Sequence, residues 1–301
     1  MAGKTYLELA ERGVLAVSGP DARTFLQGLV SNDVLRVTPS MAVYAALLTA
    51  QGRYLHDFFI AEIAGALCLD CEASRRDDLL RRLKLYKLRS KVTLEDLTQR
   101  FAVAAMPGSA AIMALGLGPE PGAAKEMLGG VAFVDPRLAA MGARAILPRE
   151  PMAAALTGAG FTAGAPAEYD TLRLTLGLPD GSRDLVVEKS LLLESGFDEL
   201  NGVDWKKGCY VGQELTARTK YRGLVKKRLL PVRIDGPIPA PGTEIKAGAE
   251  EAGEMRSANG ALGLALLRLE QIDKELTAGS AKVKPARPDW LRLPEPEPAN
   301  Q

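Results

Sequence analysis

The stretch that most restricts what this chain can fold into is residues 206–223, K-K-G-C-Y-V-G-Q-E-L-T-A-R-T-K-Y-R-G. It sets a thiol, Cys209, between Gly208 and Gly212, puts two lysines ahead of it, and follows it with Gln213, Glu214 and a run of cations. Few structural elements need that mixture, so the segment reads as a site that the rest of the chain holds in place. The two glycines let the backbone turn or approach another group closely. Lys206 and Lys207 stand where they can favour the Cys209 thiolate.

A length of 301 residues allows two or three domains, each with its own core. Thirty-eight basic side chains nearly cancel 37 acidic ones, so no global field favours nucleic acid or membrane, and a polyanion would have to meet a local patch. The N-terminal residues M-A-G-K-T-Y-L-E-L-A-E-R-G have no apolar signal core and carry acids that transit peptides avoid. No run approaches the roughly 20 apolar residues that span a bilayer. Three cysteines without a secretory signal point to reduced thiols, and the expectation is a soluble cytoplasmic protein.

Along the chain, V-L-A-V at 14–17 reads as a strand, and Asp21 is placed to cap a helix through Phe25, Leu26 and Leu29. Strands are expected over 43–50, 54–63 and 66–71 as an antiparallel meander. Ser74 and Asp77 have capping-box spacing for a helix whose C-terminal end is crowded by Arg81, Arg82, Lys84 and Lys87. Strands follow near 91–97 and 101–106, and 107–164 reads as strands and small helices in Ala-, Gly- and Pro-rich sequence. Pro166 opens a helix that stops at Gly177. After Gly223 the texture changes to short strands, near 225–234, 243–246, 261–267 and 281–284, broken by Pro and Gly turns. That pattern suggests a small β-barrel or sandwich. The organisation expected is 1–222, a barrel over 223–285, and a tail over 286–301.

Cys68 and Cys71 have C-x-x-C spacing, but G-A-L-C-L-D-C alternates like a strand, where residues three apart face opposite ways. A zinc knuckle needs a turn and a second ligand pair, so no metal site is expected. Cys209 with His56, the sole histidine, lacks local support as a nucleophilic pair. No Walker loop, dinucleotide fingerprint or nucleophile elbow is present. Lys206, Lys207, Arg218, Lys220, Arg222, Lys226, Lys227 and Arg228 form a cationic run: a solvated face, or an anion site for RNA phosphates or a carboxylate-bearing cofactor.

K-G-C-Y-V-G-Q-E-L-T-A-R-T-K-Y-R-G at 207–223 resembles the signature of the YgfZ family of folate-binding proteins, relatives of the glycine-cleavage T-protein. Blocks at 19–33, 47–59 and 191–204 (L-L-L-E-S-G-F-D-E-L-N-G-V-D) resemble the family too, whereas the tail and 107–164 carry little of it. The resemblance implies an α+β, three-lobed T-protein-like fold around a central tetrahydrofolate pocket, with a small C-terminal β-barrel. It implies an accessory role in assembly or repair of iron–sulfur enzymes, including tRNA-modifying ones, centred on Cys209 with Lys207, Gly208 and Tyr210 around it. Its partners would be folate, iron–sulfur client or assembly proteins, and weakly tRNA, with no membrane.

Glu194 matches the T-protein's pterin-binding acid, since one carboxylate can accept the paired donors of a pterin; a cap or surface role is its plain alternative. Tyr210 and Gln213 fall within the signature, and Arg218 or Arg222 can meet a folate's glutamate tail. T-proteins carry paired acids where this chain has His56-Asp57, and they usually lack a cysteine at the Cys209 position. Both departures favour the YgfZ-like branch over a transferase, with Cys209, Lys207 and Asp57 as the candidate catalytic residues. The alternative is a folate-dependent aminomethyltransferase or demethylase that uses Asp57.

Overall fold

A computed structural model describes residues 4–223 and 225–293. Two sheets lie face to face, each with helices on its outer side, and a separate barrel completes the molecule. The first sheet has five antiparallel strands in the spatial order Val43–Leu48, Tyr54–Ile63, Ala66–Glu72, Arg12–Ser18, Thr93–Asp96. The second has six, in the order Thr162–Ala163, Thr5–Glu8, Phe101–Pro107, Gly142–Pro148, Gly130–Val134, Ala124–Met127.

The strands read as near-continuous apolar runs because both of their faces are covered. Tyr44, Phe59 and Cys68 of the first sheet meet Leu7, Val103, Phe133 and Ile146 of the second in one core. The opposite face of the first sheet packs on Phe25, Leu26, Leu79 and Leu83, from the helices Ala22–Gln27 and Arg76–Lys87. The helices Ser109–Ala114 and Met152–Gly158 cover the second sheet in the same way. Burial at about 25 cal/mol per Å² of apolar surface holds these layers together.

The expected meander is present, and the helix Pro166–Leu176 ends on Gly177 as its sequence suggests. Two expected caps take other partners. Asp21 precedes its helix without capping it and accepts the Lys91 amide N–H at 2.7 Å instead. Ser74 lies in a 3-10 turn, Ala73–Arg75, and donates to Glu72 Oε1 at 2.9 Å. A tertiary partner wins over the helix end for Asp21, and a local one for Ser74.

The C-terminal unit is a closed barrel of Lys227–Asp235, Leu262–Arg268, Glu250–Asn259, Glu244–Ala247, Leu276–Ala278 and Ala281–Pro285. Glu250–Asn259 and Leu276–Ala278 are strands that the sequence pattern did not reveal. Closure leaves no free sheet edge. The barrel meets the sandwich through Arg173, which donates to Asp184 Oδ2 at 2.8 Å and to Ser257 Oγ at 3.0 Å. Beyond it, Trp290 donates to Leu176 O at 2.7 Å. The tail expected over 286–301 lies outside the described residues from 294 onward.

Candidate functional site

The segment 201–212 has almost no regular structure, yet it is firmly tied to residues 27–32. Ser31 Oγ donates to Gly202 O at 2.6 Å, and Asn32 Nδ2 donates to Asn201 O at 2.7 Å. The Asp204 and Val211 amides donate to Ser31 O and Gly28 O at 3.0 and 3.1 Å. Lys207 Nζ donates to Gln27 O at 2.7 Å and Val30 O at 2.5 Å, carbonyls at and just beyond the end of the helix Ala22–Gln27. Burial lowers the Lys207 ammonium to about 8, against the pull of Asp33 and Asp204. Its charge is therefore spent on carbonyl groups, and its part is to anchor the loop.

Gly208 and Gly212 have φ of +90° and +82°, conformations that a Cβ disfavours. Between them, Cys209 is exposed and Tyr210 is buried. Burial pushes the Tyr210 hydroxyl up to about 12, and the Tyr210 amide donates to Gln213 Oε1 at 3.1 Å. Gln213 begins the helix Gln213–Tyr221, so its side chain closes the turn that displays the thiol. Arg218 and Arg222 are exposed on that helix and at its end.

Of the cationic run, Lys220 pairs with Asp198 at 2.6 Å and lies 4.3 Å from the Trp205 ring centre. Arg228 pairs with Glu199 at 2.6 Å, and Lys227 approaches Glu251 at 3.8 Å. Three of the eight cations are thus paired with carboxylates within the protein, and Lys207 is engaged by backbone carbonyls. That weakens a nucleic-acid reading of this face.

The structure separates the two acids. Asp57 is buried among the sheets, where it accepts the Tyr44 hydroxyl at 2.8 Å and the Tyr54 hydroxyl at 2.6 Å. Around it stand charges that sequence reasoning missed. Asp70 accepts from Arg12 Nε at 2.6 Å and Arg144 Nη2 at 2.5 Å, and Asp135 holds Arg137 at 2.7 Å. The signal was there: Asp70 in A-L-C-L-D-C and Arg144 in G-A-R-A-I-L are charges inside apolar strands, which bury only when paired. Burial works against the Asp70 charge, but Arg12 and Arg144 outweigh it and hold the carboxyl below its usual range. Arg137 stacks 4.9 Å from the Phe59 ring centre and Arg144 4.1 Å from it. The void beside Arg12, Asp57, Arg137 and Arg144 measures about 10 Å³, room for one water. A pterin does not fit at this centre.

Glu194 lies elsewhere, in the turn Leu193–Ser195. It is half-buried, and burial raises its carboxyl above the usual range despite nearby Lys227, Arg53, Arg228 and Arg256. A hollow of about 650 Å³, lined by Leu193, Glu199, Thr219, Lys220, Arg228 and Trp290, adjoins this turn. Glu199 and Arg228 each leave one buried polar atom, Oε2 and Nε, without a hydrogen-bond partner. A hollow of this size with unmet polar groups has room for a small-molecule ligand; Glu199, Lys220 and Arg228 line it, whereas Glu194 and Arg53 stand outside its lining.

His56 does not face Cys209: its Nε2 lies 3.0 Å from Asp78 Oδ2. Cys68 and Cys71 enter different cores, on opposite faces of their strand, and burial pushes both thiols up to about 12. Among the described residues, no group of three His, Cys, Asp or Glu side chains is arranged to hold a metal.

The sandwich and the C-terminal barrel together define an aminomethyltransferase-type fold. The description "GCVT N-terminal domain" matches residues 5–116, and "CAF17, C-terminal beta-barrel domain" matches residues 226–293. Glycine cleavage system aminomethyltransferase T from Bartonella henselae superposes with a TM-score of 0.77 at 17% identity, over 94% of this chain and 84% of that one. The iron-sulfur cluster assembly factor IBA57, mitochondrial, of Mus musculus is 34% identical over 95% of this chain and 85% of its own length. The Homo sapiens protein of the same name is 37% identical over 93% and 83%. The chain belongs to this family of IBA57 iron–sulfur cluster assembly factors.

Both relatives are named mitochondrial, which overturns the cytoplasmic location expected from the sequence. Near-neutral charge and reduced thiols suit any reducing aqueous compartment, so they could not single out the cytosol.

Proposed function

We propose that this chain is an accessory factor of iron–sulfur cluster assembly that binds a reduced folate and acts through the thiol of Cys209. One observation carries the reading: an exposed cysteine, in a chain whose relatives are named assembly factors, stands on a loop fixed by side-chain and backbone hydrogen bonds to residues 27–32. A thiolate is the form that ligates iron or exchanges with a sulfur species, and a fixed loop presents it without an ordering cost when a partner arrives. Lys207 anchors the loop, and Gln213 and Tyr210 shape it.

A bound folate supplies a one-carbon carrier. Glu194 would accept the pterin's paired donors, with Arg53 and Arg228 beside it, and Arg218 and Arg222 offer cations to the glutamate carboxylates. The clients on this reading are iron–sulfur enzymes, tRNA-modifying ones among them through the family resemblance alone. A transferase using Asp57 draws no support from the geometry, because both carboxylate oxygens are occupied by tyrosine hydroxyls.

Two measurements test this. Titration with 5-formyltetrahydrofolate should give saturable binding that Glu194→Ala weakens by about tenfold or more, as loss of a charge-assisted pair of hydrogen bonds implies; unchanged affinity removes Glu194 from the role. In cells lacking their own assembly factor, Cys209→Ser should fail to restore a cluster-dependent enzyme while folding normally. Full restoration by that variant sinks the thiol mechanism.

A further inference from the structure

We propose that the end of the helix Arg76–Lys87 and the turn after it form a seat for the surface of an anionic phospholipid membrane. Leu79 and Leu83 point into the core, but Leu85 is 65% exposed and Leu88 is 88% exposed. Leu88 has φ +41° and ψ −111°, and the Ser90 amide closes the turn onto Lys87 O at 2.8 Å. That is the geometry of the first central residue of a type II′ turn, a position dominated by glycine. At one residue the chain therefore bears backbone strain and a leucine in water, and packing within the protein offsets neither.

Lys84, Lys87, Arg89 and Lys91 neighbour the two leucines in sequence and make no ion pair among the described residues, whereas Arg81 and Arg82 are taken up by Asp78. Asp21 accepts the Lys91 amide at 2.7 Å and pairs with none of these cations. Favourable contact with the helix C-terminus accounts for the lysines, but not for the leucines. Leucines interspersed with cations match what binds at a lipid interface, where apolar side chains enter the headgroup layer and lysines meet anionic lipid. RNA would ask for aromatic stacking surfaces, and Tyr86, 41% exposed, is the one aromatic at this tip. This reading is independent of the folate and thiol proposals, which use none of these residues.

The test is co-sedimentation of the full chain with vesicles of phosphatidylcholine alone and of phosphatidylcholine mixed with phosphatidylglycerol. The chain should pellet with the mixed vesicles only, and less so as salt is raised. Replacing Lys84, Lys87 and Arg89 with Glu should abolish pelleting, since each cation removed weakens partitioning by roughly fivefold. Leu88→Gly should weaken pelleting while raising Tm, because it relieves the turn and removes the anchor together. Lys226→Glu, on the distant cationic run, should change nothing. Equal pelleting with both vesicles, or pelleting that survives the Glu substitutions, overturns the proposal. So does a chain that ignores all vesicles but binds RNA or polyglutamate, which would give the face to a soluble polyanion.

Discussion

Gly52 and Gly212 meet back to back: a Cβ on Gly212 would lie 3.1 Å from Gly52 Cα and only 2.4 Å from Thr49 O. The contact locks the turn between two strands of the first sheet against the start of the helix that follows Cys209. Gly212→Ala should therefore cost about 2–3 kcal/mol, combining the left-handed backbone with overpacking. Gly208→Ala, where a Cβ meets nothing within 4 Å, should cost about 1 kcal/mol from backbone strain alone. Equal losses in denaturant melts would show that the close approach is not what Gly212 supplies.

The three thiols should separate by reactivity. Cys209 is exposed, while Cys68 and Cys71 are buried with thiols raised to about 12. A disulfide reagent should modify one cysteine per folded chain, and all three in denaturant. Rapid modification of a second thiol without unfolding would contradict the arrangement of that strand.

Acid should destabilise the fold through His56. Burial, and then Arg75, lower its imidazole to about 4 against its hydrogen bond to the Asp78 carboxylate. The folded chain thus keeps it neutral where the unfolded chain, near 6.5, takes up a proton. Stability is lost as pH falls from about 6.5 to about 4, by at most about 3 kcal/mol, and the loss stops once the folded form also protonates. His56→Gln should flatten that part of a Tm-against-pH curve; an unchanged slope assigns it to other groups.

Asp70 holds two buried guanidiniums at once. Asp70→Asn should destabilise by about 3–5 kcal/mol, because Arg12 and Arg144 are left buried without their counter-charge. A loss below about 1 kcal/mol, the range of exposed pairs, would mean that water reaches the cluster freely.

The fold class and the thiol loop were legible because they depend on local features: apolar runs bounded by turns, glycines at 208 and 212, and a long specific motif. What stayed hidden depends on distant partners. Asp21 has a cap-like position, yet Lys91, 70 positions on, outcompetes the helix end. Lys207 precedes the thiol in sequence, but its ammonium turns to carbonyls some 180 residues away in the chain. The resemblance implies a central folate pocket, with Glu194 as its pterin acid and Asp57 as the acid of the alternative transferase, while the space beside Asp57 is filled by Arg12, Arg137 and Arg144. No spacing in the sequence announces which arginines meet which aspartates. The strand Glu250–Asn259 was missed because charged and small residues dominate it, and barrel closure, not propensity, sets its conformation.

The ties between residues 27–32 and 201–211 join parts of the chain separated by 169 to 183 positions. Pairings of such long range form late, because loop closure must precede them. A nascent or partly unfolded chain thus cannot hold Cys209 in its native setting, since the loop acquires its shape only when the N-terminal sheet and the segment before the barrel have met. The placement of the thiol doubles as a certificate of completed folding. A partner that recognises the loop together with its thiol would pass over immature copies without any separate checkpoint.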